Sequence, residues 1–245
     1  MKKILDYFLS TLYLIHFGLT LLVFHVIQFI AYNVFGKRAH EVSVDGLNFS
    51  LAFGLLLTGA KITLKKVAEP PIDRPIIFIA NHQSSFDIAA IYWYLRKHRP
   101  RFVSKIELAK GVPSISYNLR KSGAALINRK DGKQAISEIA RLGKLIHDEK
   151  SSAIIFPEGT RTANGKMKAF QPGGVATLLK RAPDALIVPV AIDGTGAFNP
   201  KGIFPLKSFS HLKWTVLEGI EPAGRKAEEI LAEAQEAIRK VIEPV

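Results

Sequence analysis

The chain has no cysteine among its 245 residues. This absence excludes disulfide bonds, thiolate metal ligands and a cysteine nucleophile together, and it is compatible with a reducing compartment. The chain also lacks a Gly-x-Ser-x-Gly segment, which excludes the nucleophile elbow of a typical serine hydrolase. An enzyme built on this sequence must therefore use another chemical group.

Acidic residues are also scarce, because 21 Asp and Glu stand against 34 Lys and Arg and leave a formal net charge of +13. An excess of this size indicates a polyanionic partner, such as nucleic acid, an anionic membrane surface or a phosphorylated substrate. No recognised nucleic-acid-binding motif accompanies the charge, so we expect no nucleic-acid partner. The apolar N-terminus instead favours a lipid bilayer.

Two segments near the N-terminus contain no charged residue. As a helix, Tyr7–Gly36 exceeds the roughly 30 Å hydrocarbon core of a bilayer. Gly46–Ala60 is short for a span and is typical of a half-inserted helix. We predict a two-helix membrane anchor over residues 1–62, held in one leaflet and not cleaved as a signal peptide, with a single span as the alternative. The connector carries Lys37, Arg38, Glu41 and Asp45.

The first apolar segment carries a polar stripe. At about 100° per residue, many of its polar and small residues fall within one arc of roughly 140°. Such a stripe predicts contact with a partner helix or with lipid headgroups. The arc contains Tyr7, Ser10, Gly18, His25, Gln28, Tyr32 and Asn33, while His16 and Thr20 lie opposite.

After the anchor the pattern becomes that of an α/β domain, which we assign to residues 63–245. Short apolar, β-branched runs predict buried strands at Pro75–Ala80, Phe102–Ser104, Ala124–Ile127, Ala153–Phe156 and Leu186–Ile192. Helical patterns alternate with them, from Asp131 to about Glu149, from near Gly173, and over Arg225–Lys240. The alternation predicts a mixed, largely parallel sheet covered by helices.

A polar turn follows the first of these strands and has the sequence Asn81-His82-Gln83-Ser84-Ser85-Phe86-Asp87. On one continuous helix His82 and Asp87 would point about 140° apart, so they meet only if the chain turns between them. A carboxylate bonded to one imidazole nitrogen stabilises the cation that forms when the other nitrogen takes a proton. The substrate is expected to supply the hydroxyl that such a pair activates. The alternative is a structural loop histidine beside a helix-start carboxylate.

A second polar segment, Phe156-Pro157-Glu158-Gly159-Thr160-Arg161, follows the strand predicted at Ala153–Phe156. Gly159 lets the backbone approach a ligand closely, and the Arg161 guanidinium suits two-pronged contact with a phosphate. Taken alone, the segment would be an ordinary turn with a surface arginine.

Together the two segments resemble the first and third motifs of the glycerolipid acyltransferase family, closest to its 1-acylglycerol-3-phosphate acyltransferase branch. Gly123–Arg129 resembles the second motif, Ile187–Ile192 resembles the fourth, and Lys105 matches a common family lysine. The resemblance covers roughly Leu64 to Gly219. Gln171 stands where the family often has a lysine, a contact that Lys168 is expected to replace.

The resemblance implies a role for each matching residue. His82 is the expected general base, and Asp87 is its orienting partner. Val188-Pro189 is expected to shape the acyl-donor site. No metal site and no cofactor are implied, because the co-substrate is an acyl-CoA or acyl carrier protein thioester. The glycerol phosphate is expected to contact Lys105, Arg129, Glu158, Gly159, Thr160 and Arg161.

The implied reaction transfers a fatty acyl group from the thioester to the sn-2 hydroxyl of 1-acylglycerol-3-phosphate (lysophosphatidic acid). The product is phosphatidic acid, an intermediate of phospholipid biosynthesis. Alternatives are acylation of glycerol 3-phosphate or another lysolipid, or a non-catalytic membrane-bound anion-binding module that leaves the His–Asp turn without a purpose. We expect a bacterial inner-membrane protein with its catalytic domain on the cytoplasmic face.

Overall fold

The computed structural model describes residues 1–162 and 166–243. Its strands are β1 (Lys61–Lys66), β2 (Ile76–Ala80), β3 (Pro100–Lys105), β4 (Ala125–Ile127), β5 (Ser152–Ile155), β6 (Leu186–Asp193) and β7 (His211–Val216). They form one seven-stranded sheet in the order β1-β7-β6-β2-β5-β3-β4. Neighbouring strands are parallel except for the antiparallel pair β6 and β7. The predicted mixed, largely parallel sheet is confirmed.

The helices are α1 (Lys2–Gly54), α2 (Asp87–Leu95), α3 (Ile115–Lys121), α4 (Gly132–Glu149), α5 (Pro172–Arg181), α6 (Thr195–Phe198) and α7 (Ala227–Ile242). The predicted start of α4 is confirmed, because the Asp131 side chain accepts a hydrogen bond of 3.0 Å from the Gln134 backbone N–H. This bond satisfies one of the N–H groups that the first helical turn leaves unpaired. The sequence analysis predicts neither α3 nor α6.

Helices cover both faces of the sheet, as the uninterrupted apolar sequence of β2 requires. Successive side chains of a strand point to opposite faces. Phe78 therefore belongs to a buried cluster that includes α1 and α2, whereas Ile77 and Ile79 belong to a second cluster with α4, α5 and α7. All three side chains are fully buried. The centre of the sheet is thus a rigid support for the loops at its ends.

The two predicted anchor helices form one assigned element, α1, which Gly36 divides into two arms. The backbone of Gly36 (φ 82°, ψ −171°) is not helical and has a positive φ that favours glycine. The arms run antiparallel, because a ring nitrogen of His16 lies 3.0 Å from the Ser50 carbonyl oxygen and Phe24 packs against Gly46. The four charged residues predicted to connect the two helices belong to the second arm, which includes residues 37–45, so the bend at Gly36 is the connection.

The polar stripe of the first arm faces α3 of the same chain. The Ser114 backbone N–H donates to Nδ1 of His25 at 3.0 Å, and Gln28 donates to the Ser114 hydroxyl at 2.8 Å. Asn33 donates to the Tyr117 hydroxyl at 3.0 Å. This part of the stripe therefore serves contacts within the protein, and another side of the arm, with Phe8, Leu12 and Leu19, is exposed and apolar.

The hairpin formed by α1, called the N-terminal hairpin below, shares a core with the sheet. Tyr13 is only 1% exposed and packs against Phe86, with their ring centroids 5.8 Å apart. By length and composition, Lys2–Thr58 is apolar enough to cross a membrane. The predicted domain boundary between residues 62 and 63 falls inside β1, a strand that the sequence analysis does not predict. The division into anchor and catalytic domain stays a prediction.

Candidate active site

The polar turn after β2 is held in place by its first residue. Asn81 is buried, and its amide exchanges two hydrogen bonds with the backbone of Ile192 in β6, at 2.8 and 2.7 Å. This pairing fixes the direction in which the chain leaves β2. The chain then turns and begins α2 at Asp87, so the separation of about 140° expected on a continuous helix does not apply.

His82 and Asp87 are in direct contact. Nδ1 of His82 lies 2.8 Å from Oδ2 of Asp87, and the same oxygen accepts the backbone N–H groups of Gln83 at 2.8 Å and Ser84 at 2.9 Å. The other oxygen, Oδ1, accepts a 2.5 Å hydrogen bond from the Thr195 hydroxyl. Asp87 is fully buried, and four donors compensate for the water that its carboxylate has lost. A structural loop histidine beside a helix-start carboxylate, the alternative interpretation, does not explain why four donors surround the Asp87 carboxylate.

The imidazole of His82 is also held by an aromatic ring. Phe156, which follows β5, stacks on it with a centroid separation of 4.2 Å and an interplanar angle of 23°. Because Nδ1 is bound to the carboxylate, Nε2 is the nitrogen that remains to accept a proton. The side chain is 14% exposed and lines a cavity, so a ligand in that cavity can reach it.

Glu158 connects the two predicted motifs. Its Oε1 accepts the backbone N–H of His82 at 2.7 Å, and its Oε2 accepts the Thr162 hydroxyl at 3.1 Å and the Lys168 N–H at 3.0 Å. Thr162 returns a backbone hydrogen bond of 2.9 Å to the His82 carbonyl. Glu158 is buried and does not line the cavity in the described part of the chain. Its geometry is therefore that of a positioning residue, unlike the ligand contact that the resemblance implies.

The cavity has a volume of about 680 Å³ and opens beside His82. It lies at the carboxyl ends of β2, β3, β4 and β5, where parallel sheets commonly bind ligands. Most of its wall is apolar, and the N-terminal hairpin, α2 and α3 contribute to it together with the ends of the strands. Its size is within the range of about 300–1,000 Å³ that is typical of ligand pockets. Apolar lining residues include Phe17, Leu47, Leu51, Ile88, Ala89, Leu119 and Ile127.

Cationic side chains line one part of this wall. Lys105 ends β3, Arg129 follows β4, and Arg161 lies in the segment after β5. All three are exposed, and within residues 1–162 and 166–243 none of them forms an ion pair with a carboxylate. Their charges are therefore available to an anion, as are the backbone N–H groups where α5 begins at Pro172.

The structure brings together most of the predicted site residues. His82, Lys105, Arg129, Gly159, Thr160 and Arg161 all line the cavity, whereas Asp87 and Glu158 support it from behind. The ammonium of Lys168 donates to the hydroxyl of Thr160 at 2.7 Å, and Lys168 is not among the described residues that line the cavity, so its contact with substrate stays a prediction. Val188 and Pro189 lie in the middle of β6 and do not line the cavity among the described residues, so the donor-site role expected for them is not supported.

Thr195 is not predicted from the sequence as part of the site, and no role is predicted for Asn81 or Phe156. Thr195 is separated from Asp87 by 108 positions and meets it only through the sheet. One usable signal is its place in Asp193-Gly194-Thr195, a polar segment directly after a buried strand. Among the described residues there is no group of three or more His, Asp or Glu side chains that could hold a metal ion.

Comparisons with known proteins identify relatives of this chain. A family model described as Acyltransferase matches residues 61–193. A 1-acyl-sn-glycerol-3-phosphate acyltransferase of Chlamydomonas reinhardtii is 27% identical over 71% of this chain and 51% of its own length. One from Helicobacter pylori is 29% identical over 79% of this chain and 77% of its own.

The chain spans about half the length, or less, of several of the curated relatives that it matches. Among solved structures, the 1-acyl-sn-glycerophosphate acyltransferase PlsC of Thermotoga maritima has the same fold, with a TM-score of 0.82 over 99% of this chain and 97% of that one. The sequence identity of this pair is 22%.

Proposed function

This chain belongs to the acyltransferase family, and we propose that it transfers a fatty acyl group from a thioester to the sn-2 hydroxyl of 1-acylglycerol-3-phosphate. The observation that carries the proposal is the contact between His82 and the buried Asp87 on the wall of a large apolar cavity. The names of the relatives add the acceptor, since two of them are 1-acyl-sn-glycerol-3-phosphate acyltransferases.

In the proposed reaction Nε2 of His82 removes the proton of the acceptor hydroxyl as its oxygen attacks the thioester carbonyl carbon. Asp87 stabilises the imidazolium through Nδ1. The tetrahedral intermediate then collapses, the carbon–sulfur bond breaks, and the imidazolium returns its proton to the leaving thiolate. The products are phosphatidic acid and a free thiol, and no acyl-enzyme is required.

The unpaired cations give the acceptor its orientation. A phosphate held by Arg129 and Arg161, with Lys105 nearby, fixes the glycerol backbone so that its free hydroxyl approaches His82. The apolar part of the cavity accommodates a hydrocarbon chain. The thioester belongs to coenzyme A or to acyl carrier protein, both of which carry negative charge that the basic surface would attract.

The N-terminal hairpin is the proposed membrane anchor. Its outward surface exposes large apolar side chains, including Phe8 at 60% and Leu19 at 58% exposure. A hairpin held in one leaflet leaves residue 3 and the catalytic domain on the same side of the membrane. We place both on the cytoplasmic side of a bacterial inner membrane. To test this, cysteines are introduced at Lys3 and Lys150 in sealed, oriented vesicles. Both should react with a membrane-impermeant thiol reagent added on the cytoplasmic side. Reaction of position 3 from the opposite side would indicate a membrane-spanning helix.

The decisive assay measures release of free thiol from an acyl thioester by the purified full chain. It is run with lysophosphatidic acid, glycerol 3-phosphate, other lysolipids or no acceptor. We expect release to depend on lysophosphatidic acid; preference for another acceptor would correct the substrate. Release in none of the arms would indicate a binding module.

Substitution of the dyad tests the mechanism in the same assay. His82→Ala should abolish transfer, and Asp87→Asn should reduce turnover by as much as about 10⁴-fold, the loss seen when the triad aspartate of a serine protease is changed. His147→Ala is the matched control, because His147 also contacts a carboxylate, at 2.8 Å, but does so on the protein surface. Normal turnover in folded His82→Ala protein would overturn the mechanism.

A further inference from the structure

A second pocket, called the tip pocket below, lies beneath the bend of the N-terminal hairpin at Gly36. It is bounded by the second arm of α1, the region between α2 and β3, and the end of α3. Its volume of about 40 Å³ is larger than the roughly 10–15 Å³ that one water molecule needs. Tyr92 and Asn118 line both this pocket and the large cavity, so they separate the two. The proposed reaction uses no group of the tip pocket.

Positive charge dominates the tip pocket. Three carboxylates, those of Glu41, Asp45 and Glu149, lie in or beside it. Glu149 pairs with Lys37, Arg99 and Arg101, and Glu41 pairs with Arg38 at 3.2 Å, so Arg96 and Lys121 are left for a further anion. Six cationic side chains line the pocket: Lys37, Arg38, Arg96, Arg99, Arg101 and Lys121.

Two of these cations have no carboxylate partner within ion-pair distance among residues 1–162 and 166–243. Arg96 stacks its guanidinium 3.7 Å from the centre of the Trp93 ring, and Lys121 places its ammonium 4.5 Å from the centre of the Tyr32 ring. Asp45 lies near Arg96, and burial raises the pKa of its carboxyl group in spite of that guanidinium. An anion bound here would meet uncompensated positive charge.

Two buried polar atoms of residues that line the pocket have no hydrogen-bond partner among residues 1–162 and 166–243. They are Nε2 of His40, a residue that is 1% exposed, and Oδ1 of Asn118. Burial lowers the pKa of His40, so its imidazole is neutral near pH 7 and Nε2 can carry a hydrogen to donate. Oδ1 of Asn118 can only accept. The unpaired atoms therefore match a ligand that has both an acceptor oxygen and a hydroxyl group.

The surroundings of the tip pocket favour a lipid as this ligand. Val34, Phe35 and Val42 flank the bend and are exposed by 68%, 71% and 59%. A phospholipid whose headgroup entered the pocket would leave its acyl chains beside these apolar side chains. A small soluble phosphate ester would gain nothing from them.

We propose that the tip pocket binds the phosphate and hydroxylated headgroup of an anionic membrane phospholipid, as in phosphatidylglycerol, at a place distinct from the site of acyl transfer. The phosphate would meet Arg96 and Lys121, and the headgroup hydroxyls would meet His40 and Asn118. The bound lipid would fix the bend of the hairpin to the membrane surface beside the catalytic domain.

Vesicle binding tests the proposal with the full chain. Phosphatidylcholine vesicles are compared with vesicles that also contain phosphatidylglycerol or phosphatidylserine, which both carry one net negative charge. The pocket variant combines Arg96→Gln and Lys121→Gln. Its matched control combines Lys180→Gln and Lys240→Gln, which removes the same charge from exposed residues of α5 and α7 on the opposite face of the sheet.

The parent should bind phosphatidylglycerol vesicles more tightly than phosphatidylserine vesicles. The pocket variant should lose this preference, with affinity falling roughly fivefold for each charge removed, while the control keeps it. His40→Phe, which retains a ring between Tyr32 and Tyr117, should weaken the preference without a change in net charge. The rate of thiol release by protein on phosphatidylcholine vesicles should be equal in all these variants. This result would show that the tip pocket acts independently of the proposed acyl transfer.

Two other outcomes would overturn the proposal. Equal loss of binding to both anionic lipids, or equal loss in the control variant, would indicate general attraction to a charged surface. Displacement of the protein from phosphatidylglycerol vesicles by free glycerol 3-phosphate, at concentrations where sodium chloride of equal ionic strength has no effect, would assign the pocket to a soluble phosphate ester.

Discussion

Thr195 offers the sharpest test of how the candidate active site is supported. Its hydroxyl donates to Oδ1 of Asp87 at 2.5 Å, and no other recorded hydrogen bond within the described residues reaches that oxygen. Both residues are fully buried, so water cannot replace the donor. Thr195→Val keeps the shape of the side chain and removes only the hydroxyl. The free energy at stake is therefore that of one buried, charge-assisted hydrogen bond.

Hydrogen bonds to charged groups contribute about 1.5–3 kcal/mol, which corresponds to roughly 10-fold to 150-fold in a rate or equilibrium constant. Oδ2 of Asp87 keeps its three donors in the variant, so His82 stays paired, but the carboxylate is less firmly oriented. We expect kcat to fall by about 10-fold to 100-fold. KM for the acceptor should change little, because Arg129 and Arg161 line the cavity, whereas Thr195 contacts Asp87 and is not a lining residue.

The assay is steady-state thiol release by parent, Thr195→Val and Thr195→Ser proteins, with Tm recorded for each. Thr195→Ser keeps a hydroxyl and should restore most of kcat. A purely structural role would lower Tm and the active fraction equally in both variants, and a serine would bring no recovery of kcat per folded molecule. Parental kcat in folded Thr195→Val protein would refute the assignment of Thr195 as a positioning residue.

Three further predictions concern charged residues. Arg161→Ala should raise KM for lysophosphatidic acid, and Arg161→Lys should restore binding only in part because an ammonium cannot reproduce the two-pronged guanidinium contact; parental KM in both would exclude Arg161 as a ligand. Glu158→Gln should lower kcat more than it changes KM, since it weakens the hydrogen bond from the His82 backbone N–H to the Glu158 side chain. A change in KM alone would instead indicate that Glu158 contacts the acceptor directly. Burial opposes ionisation of Glu149, but its contacts with Lys37 and Arg101 outweigh burial and hold its pKa below 4.5. The ionised form of Glu149 therefore stabilises the fold above that pH. The Tm difference between parent and Glu149→Gln should shrink as the pH falls below 4.5. A Tm difference that does not change with pH would show that the pKa of Glu149 is not lowered by folding.

The central strands and the catalytic turn were within reach of sequence reasoning because their signals are local. β2 is an unbroken apolar, β-branched run that a buried parallel strand requires, and Asp131 caps α4 by accepting a hydrogen bond from the N–H of Gln134, only three residues away. β1 reads Lys-Ile-Thr-Leu-Lys-Lys, in which lysines obscure the strand pattern. It exists because it pairs with β7, which lies 150 residues further along.

Contacts across long stretches of sequence explain what the sequence analysis missed in the site. The hydroxyl of Thr195 reaches Asp87 because β6 lies beside β2, a neighbour relationship that no local pattern reveals. The charged residues between the two apolar segments were expected to connect two helices, whereas Lys37 lies in the second arm. Its ammonium pairs with Glu149 at 2.8 Å, at the end of α4, a contact that no local pattern reveals.

The N-terminal hairpin contacts the segment that positions the His82–Asp87 pair. Tyr13 of the hairpin packs on Phe86, the residue directly before Asp87, and Ser10 binds the backbone of Leu206. A chain that starts near Lys61 would uncover this shared core, so its loss of activity could reflect damage to α2 as easily as loss of the membrane.

Changes on the outward surface separate the two effects. Phe8→Ser combined with Leu19→Ser alters side chains that are more than half exposed and leaves Tyr13 in place. This variant should keep its Tm and its activity toward short, soluble acceptors, yet lose activity toward long-chain acceptors in vesicles. If its activity toward both kinds of acceptor is unchanged, the apolar surface of the first arm does not deliver the enzyme to its substrate. In that case the hairpin acts only as part of the fold.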